Sequence, residues 1–389
     1  MLKWQSQGGE KMDKYTRHVK TWRLLYRLLH GFIEYKFNLS HEDICPEGPC
    51  IVIPNHVSEW DPLLVAMSFP EKQMYFVASE HLFRKGPVSR LLCWLVAPIA
   101  RKKASMGTDT VKACLRELRA GHSVCLFAEG EACWAGVSGK VFPATGKLVR
   151  ASGASLVTYR LQGGYLSDPR WGRGIRRGRT HGAPVRVYSP EELRAMSPEE
   201  ITTAIDRDIY EDAWQRQREE KIEFRGKNTA EFMESALFLC PKCGRTGSLK
   251  GRGRRLQCAC GLDLEFTAEG FFRPARPFET LADWDRWQHE ALRRGDFVHG
   301  EALFSDGEAA LSKIRPEHRE ELICRGRLIQ YDDRLVCGGE RFPLSDIAGM
   351  ALVQSTVLLV QKRDGEYYQL RVKRGVCLRK YLAYWEKGD

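Results

Sequence analysis

The stretch CIVIPNHVSEWDPLLVAM, residues 50–67, sets the reading of the N-terminal half. Its first five residues form an apolar run ending at Pro54, which predicts a buried strand. Asp61-Pro62 then opens an apolar helical pattern, aspartate suiting the helix cap and proline the first helical position. Between the two lies His56, five positions before Asp61. Loops at the carboxyl ends of strands in α/β domains face a crevice where ligands bind. A histidine there can take a proton from a hydroxyl. A carboxylate on its other ring nitrogen would fix the tautomer and stabilise the imidazolium. Taken alone, a helix cap also accounts for Asp61.

Outward from this stretch, short apolar runs alternate with helical segments up to about residue 190. MYFVAS (74–79), SVCLFA (123–128) and SLVTYRL (155–161) read as buried strands, and 61–69, 85–95, 108–120 and 143–152 as helices. Such alternation predicts an α/β domain with a mostly parallel sheet. Two S-P-E-E starts, at Ser189 and Ser197, predict the helices that close it. Upstream, Trp22, Leu25, Tyr26, Leu29, Phe32 and Ile33 recur at helical spacing, with Lys20, Arg23 and Arg27 mostly off the stripe. This N-terminal amphipathic helix suits either a membrane interface or packing on the core.

At 389 residues the chain has room for two or three domains. Residues 1–40 are read as the amphipathic helical segment, 41–235 as the α/β domain and 236–273 as a cysteine-bearing ribbon. Residues 274–299 follow as a helical linker and 300–389 as a β-rich C-terminal domain. In that last part GEALFS, RGRLIQYDDRLVC, STVLLVQKR and EYYQLRV read as strands, with a hairpin turn at Asp364-Gly365 and a helix over LRKYLAYWEK. A small sheet or barrel closed by one helix resembles a pleckstrin-homology-like module, an analogy from which no function follows.

The net charge of +11 points to a polyanion: an anionic membrane surface, a phosphorylated substrate or nucleic acid. No run of 18 apolar residues is present, so no conventional membrane-spanning helix is expected, and the N-terminus does not read as a secretory signal. Thirteen scattered cysteines in a chain this long argue against a secreted disulfide framework and for a reduced, cytoplasmic setting.

NHVSEWD matches N-H-x-S-x-x-D through Asn55, His56, Ser58 and Asp61, and over roughly residues 20–215 the chain resembles the glycerolipid acyltransferase family containing 1-acylglycerol-3-phosphate acyltransferase. The resemblance implies His56 as general base, Asp61 as the residue that orients it, and direct attack of the acceptor hydroxyl on an activated acyl group. No acyl-enzyme and no organic cofactor are expected. Acyl-CoA, acyl-carrier protein or an acyl phosphate would be the donor, and a lysophospholipid the acceptor. APIARKK (97–103) stands at the second motif, so Arg101, with Lys102 and Lys103, is expected to grip the acceptor phosphate. In CLFAEGEACWAG (125–136) Phe127, Glu129 and Gly130 match the third motif, but Ala132 replaces its arginine. Either Lys140, Lys147, Arg160 or the Arg170–Arg179 cluster stands in for it in space, or the acceptor is something other than a lysophosphatidate. The backbone N–H of Gly130 is a candidate oxyanion donor. Asn55, Ser58, Glu129, Gly130 and Lys147 complete the expected substrate-binding set. The arginine-rich loop 163–179 reads as a phosphate-facing or membrane-facing rim, as a nucleic-acid contact or as a solvated loop.

Cys240-x-x-Cys243 and Cys258-x-Cys260 have the spacing of two cysteine knuckles around a structural zinc, the residues between them being the right length for a hairpin. Free or redox-active thiols are the alternative. The other nine cysteines read as ordinary buried ones. Two functions compete. One is an acyltransferase lying peripherally on the inner face of the cell membrane; the other is a zinc-ribbon protein that binds nucleic acid through basic residues such as KGRGRR (250–255). The second leaves the N-H-x-S-x-x-D block, Arg101 and Glu129-Gly130 unexplained, which makes nucleic acid the weaker partner.

Overall fold

The computed structural model describes residues 13–84, 86–101, 107–315 and 319–387. The chain enters through helix α1 (Lys14–Phe37) and strand β1 (Leu39–His41). It continues through β2 (Cys50–Pro54), α2 (Asp61–Ala66), β3 (Met74–Ser79), α3 (Pro87–Leu95), β4 (Ile99–Arg101) and α4 (Thr108–Arg119). Then come β5 (Ser123–Cys125), α5 (Ala144–Ser152), β6 (Ser155–Gln162), α6 (Gly164–Ser167) and β7 (Thr180–Tyr188). These strands form one seven-stranded sheet ordered β1-β7-β6-β2-β5-β3-β4. β6, β2, β5, β3 and β4 run parallel, and β7 turns antiparallel against β6.

β2 lies between β6 and β5, with Ile51 opposite both Leu156 and Val124. All five of its residues are buried, as a strand covered on both faces requires. Its parallel neighbours β5, β3 and β4 end at the same edge. The loops carrying His56 and Glu129, and the strand end carrying Arg101, are therefore brought together.

α7 (Pro190–Ala195) and α8 (Pro198–Ile209) begin with complete capping boxes, Ser189 with Glu192 and Ser197 with Glu200. α9 (Ala213–Glu220) follows. Gly146 marks where α5 crosses α8: a Cβ there would lie 1.9 Å from the Pro198 carbonyl oxygen. Asp13 caps α1 through the Tyr15 and Thr16 amides. Trp22, Ile33 and Phe37 are buried, and the Trp22 indole donates to the Phe69 carbonyl at 3.0 Å. Phe32, expected on the core stripe, is instead exposed. It belongs to a second apolar stripe of Leu24, Leu28, Phe32 and Tyr35 on the outer face, because α1 packs on the narrower line through Trp22 and Ile33.

The cysteine segment folds as β8 (Leu249–Arg252), β9 (Arg255–Cys258), β10 (Leu262–Phe266) and β11 (Phe272–Arg273), an antiparallel sheet whose first hairpin pairs β8 with β9. α10 (Leu281–Arg294) leads to a second seven-stranded sheet. Its strands are β12 (Phe304–Ile314), β13 (Glu320–Gln330), β14 (Arg334–Cys337), β15 (Glu340–Pro343), β16 (Ile347–Val353), β17 (Val357–Lys362) and β18 (Tyr367–Val372). The order is β15-β14-β13-β12-β18-β17-β16, antiparallel throughout, and α11 (Arg379–Glu386) follows. Residues 300–303, expected as strand, precede β12, while β15 and β16 were not foreseen.

One apolar core runs from β2 and α2 through the cysteine segment to β12 and α11. Arg379 of α11 grips both carboxylate oxygens of Asp285 on α10, at 2.5 and 3.1 Å, and the Cys377 thiol meets the Ser235 carbonyl at 3.1 Å. Among the described residues no helix is long and apolar enough to cross a membrane.

Candidate active site

The loop leaving β2 is organised by one carboxylate. Asp61 is fully buried, and its Oδ2 accepts the Val57 amide at 2.6 Å and the His56 Nδ1–H at 2.7 Å. Its Oδ1 accepts the Ser58 hydroxyl at 3.0 Å, and the Ser58 amide reaches both oxygens. Asp61 is thus the first residue of α2 and not its cap: Trp60 holds the cap position with no side-chain bond. The carboxylate turns back into the loop because four donors wait there. Donating its Nδ1–H to this carboxylate fixes the neutral His56 tautomer with its basic nitrogen at Nε2.

A second loop clamps the same histidine. The His56 amide donates to Glu129 Oε1 at 2.7 Å, and its carbonyl accepts the Cys133 amide at 2.9 Å. The Phe127 ring stacks on the imidazole, centroids 4.3 Å apart. Glu129 Oε2 accepts the Gly139 amide at 2.5 Å. Burial nevertheless dominates and pushes the Glu129 carboxyl up to about 8, against the opposing pull of those two amides.

Arg101 ends β4 opposite Ser79. Its guanidinium lies 5.2 Å from the centre of the Phe142 ring, and burial lowers its pKa, a desolvation penalty that a bound anion would relieve. Among the described residues no carboxylate pairs with it. Gly130 lies between these groups at φ +84°; a Cβ there would sit 2.3 Å from the Phe142 ring and 3.3 Å from an Arg101 nitrogen. The Gly130 N–H donates to the Phe127 carbonyl at 3.2 Å, so it closes a turn and is not the oxyanion donor expected.

Two cavities meet at this point. The first, about 450 Å³, is lined by His56, Arg101 and Phe127, by Trp22, Leu25 and Leu29 of α1, and by apolar residues of α2 and β3. The second, about 770 Å³, lies between α4, α5 and the C-terminal sheet; Val77, Arg101, Phe127 and Gly130 line both. That sheet supplies Val353 and Gln354 to the first cavity and Ala348–Ala351 to the second. Gln354, at φ +54°, reaches Glu59 at 3.0 Å.

Residues 36–161 match the family model described as Acyltransferase. This segment is an acyltransferase-family domain. Among solved structures, the 1-acyl-sn-glycerophosphate (LPA) acyltransferase PlsC from Thermotoga maritima is similar at 17% identity and a TM-score of 0.40, the match covering 51% of this chain and 83% of that one. No curated protein matches the chain.

The acyltransferase domain brings His56, Asp61, Arg101, Glu129 and Gly130 together. It places Asn55 and Ser58 behind the site and not in it. The Asn55 amide bridges to the backbone of Leu161, 2.7 and 2.9 Å, and Ser58 supports Asp61. Lys147 projects from the exposed face of α5 and lines neither cavity. Lys102 and Lys103 lie outside the described residues. Of the candidates for the arginine that Ala132 replaces, Arg170 reaches the cavity: it lies over the Trp134 ring at 4.1 Å and donates to the Ala132 carbonyl at 3.0 Å. Its other nitrogen holds the Leu352 and Gln354 carbonyls at 3.4 and 3.1 Å, pinning the C-terminal hairpin to the site. Arg160 is spent on the Asp208 carbonyl. In the rest of the arginine-rich loop Arg176 turns inward to the Thr229 carbonyl, while Arg173 and Arg179 pair with Glu231 and Glu220 at the surface and exposed Arg177 lies over the Tyr35 ring at 4.6 Å.

The four cysteines of the ribbon converge, with Cys240–Cys260 and Cys243–Cys258 sulfur separations of 3.7 and 3.8 Å. Two thiolates bound at ~2.3 Å on a tetrahedral ion lie about 3.8 Å apart, so the set fits a zinc ion. Cys45, expected buried with the remaining cysteines, is exposed.

Glu129 generates a pH prediction. Its carboxyl titrates higher folded than unfolded, so its contribution favours folding at low pH and is lost as pH rises from about 4.5 towards about 8. Thermal melts across that window should show wild-type stability falling relative to Glu129→Gln. Parallel pH profiles would show instead that the carboxyl is not held protonated.

Proposed function

We propose that this chain transfers a fatty acyl group from an activated donor to the hydroxyl of a lysophospholipid, such as a 1-acyl-glycerol-3-phosphate, at a membrane surface. The observation that carries this reading is the pairing of the Asp61-held imidazole of His56 with an apolar cavity that has Arg101, unpaired among the described residues, at its margin. His56 Nε2 takes the proton as the acceptor oxygen attacks the acyl carbonyl. The leaving thiolate or phosphate departs with the bonding electrons, and Asp61 stabilises the imidazolium until that proton passes on. The acyl chain occupies the first cavity, whose volume and apolar lining suit it. Arg101 holds the acceptor phosphate. The acceptor's own chain runs into the second cavity, against Ala348–Ala351.

A membrane role is supported by the outer stripe of α1. Leu24, Leu28, Phe32 and Tyr35 are all more than half exposed, as are Leu91 and Trp94 of α3, and exposed Arg23 and Arg27 flank the stripe. Such a helix lies in an interface with anionic headgroups beside its cations. This fits a peripheral enzyme on the inner face of the cell membrane. Zinc, held by Cys240, Cys243, Cys258 and Cys260, would serve structure: four protein ligands leave no position for substrate.

Three measurements test the proposal. With labelled acyl donor and a lysolipid panel, His56→Ala and Asp61→Asn should each lose about 10²–10⁴-fold in kcat with the fold retained. A normal rate for either would remove the dyad from the mechanism. Arg101→Ala should raise the KM of phosphorylated acceptors about tenfold or more while sparing kcat, and an unchanged KM would place the phosphate elsewhere. Ala351→Trp, which fills the second cavity from a partly exposed position, should raise KM for long-chain acceptors and leave short-chain ones unaffected. Equal effects on both would move the acceptor chain out of that cavity.

A further inference from the structure

A second cluster of metal-ligand type lies away from the catalytic dyad, where α1 ends and β1 begins. His30 and Glu34 are one helical turn apart on α1. The chain then reverses at Asn38, in the left-handed region at φ 47°, and returns His41 to the same point. Glu34 Oε1 lies 3.1 Å from His30 Nε2 and 3.2 Å from His41 Nε2. The His41 side chain is only 7% exposed. Although carboxylate oxygens of Glu34 and Asp43 stand 3.2 Å from its two nitrogens, neither approach has hydrogen-bond geometry. Two unsatisfied nitrogens on a buried imidazole are costly and uncommon.

The spacings explain the misalignment. Nitrogen and oxygen ligands bound at ~2.0–2.1 Å on a tetrahedral ion lie about 3.3 Å apart, their lone pairs aimed at the shared centre and not at each other. The two Glu34 contacts, 3.1 and 3.2 Å, lie close to this spacing, and the ligand atoms of His30, Glu34 and His41 all fall within 4.8 Å of one another. Two imidazoles and one carboxylate suit Zn²⁺ and its neighbours in the transition series. The Asp43 carboxylate stands 3.2 Å from His41 Nδ1, on the side from which an outer partner would come, without yet accepting a hydrogen bond from it. His30 and Glu34 are each 35% exposed, which leaves the fourth position to water.

We propose that His30, Glu34 and His41 bind a divalent transition-metal ion, separate from the cysteine site. The ion would fasten the last turns of α1 to β1, and α1 supplies Trp22, Leu25 and Leu29 to the first cavity. The test is a Co²⁺ titration of the full-length chain after chelator treatment. Binding at the cysteines gives thiolate-to-cobalt charge-transfer absorption; the expected result is a further equivalent without that absorption. Glu34→Gln and His30→Gln, both at partly exposed positions that leave the core intact, should abolish the further equivalent and leave the thiolate signal unchanged. Binding that ends with the thiolate signal, or a further equivalent that survives in both variants, would overturn the proposal and leave an ion-paired His–Glu–His patch.

Discussion

A carboxylate cannot be buried without donors, and the loop from Asn55 to Asp61 is shaped by supplying them. Asp61 is fully enclosed and is satisfied by the Val57 and Ser58 amides, the Ser58 hydroxyl and the His56 imidazole. Leaving any one of these donors without its partner would cost about 1–3 kcal/mol, so the loop has little freedom once the carboxylate is in place. The imidazole orientation follows from this constraint. Asn55 fixes the start of the loop to β6, and Glu129 and Cys133 fix the His56 backbone from the other side. The result is an imidazole whose position is over-determined by backbone contacts, with Nε2 left free of Asp61 for the base role proposed for it.

The sheet brings the remaining groups to that base. Because β2, β5 and β4 are parallel, their carboxyl ends converge, and residues distant in sequence share one edge. Gly130 lets Phe142 and Arg101 close on the His56 side, where any side chain would collide. What this edge lacks is a second wall, and the C-terminal sheet provides it. Arg170 reaches across from the Ala132 carbonyl to those of Leu352 and Gln354, so the hairpin tip is bonded to the catalytic loop's own neighbour. The C-terminal sheet is therefore part of the site's architecture, and the apolar core continuous through the ribbon makes it a rigid one.

Legibility in the sequence tracked the range of the interaction. β2, the capping boxes at Ser189 and Ser197, the ribbon hairpin and the His56–Asp61 spacing all rest on residues a few positions apart, and their patterns were readable. Asp61 was legible as a residue but not in its geometry. Asp-Pro at a helix start suggests a cap, and nothing local shows that four loop donors outcompete the helix end for the carboxylate. Phe32 was misplaced because a stripe six residues wide at helical spacing cannot show which of two adjacent apolar lines meets the core. Val353 and Gln354 had no signal at all, and Arg170 was readable only as one end of the Arg170–Arg179 cluster. They are brought to the site by sheet packing over more than 180 positions of chain, and the arginine-rich loop around Arg170 reads as solvent-facing until its acceptors are known.

Arg170 also bears on the departure at Ala132. Where the third motif of the resembled family has an arginine, this chain has a small side chain, and the Arg170 guanidinium bonds the backbone at that position. It cannot simply replace a phosphate ligand, because Glu131, Ala132, Leu352 and Gln354 already occupy its donors. A guanidinium so engaged is worth more as a brace than as a binding group, since freeing it would take a donor from the part-buried Ala132 and Leu352 carbonyls at once. The space next to His56 is thus walled by the hairpin that Arg170 braces, and in the proposed reaction the anion would fall to Arg101, which no carboxylate among the described residues pairs.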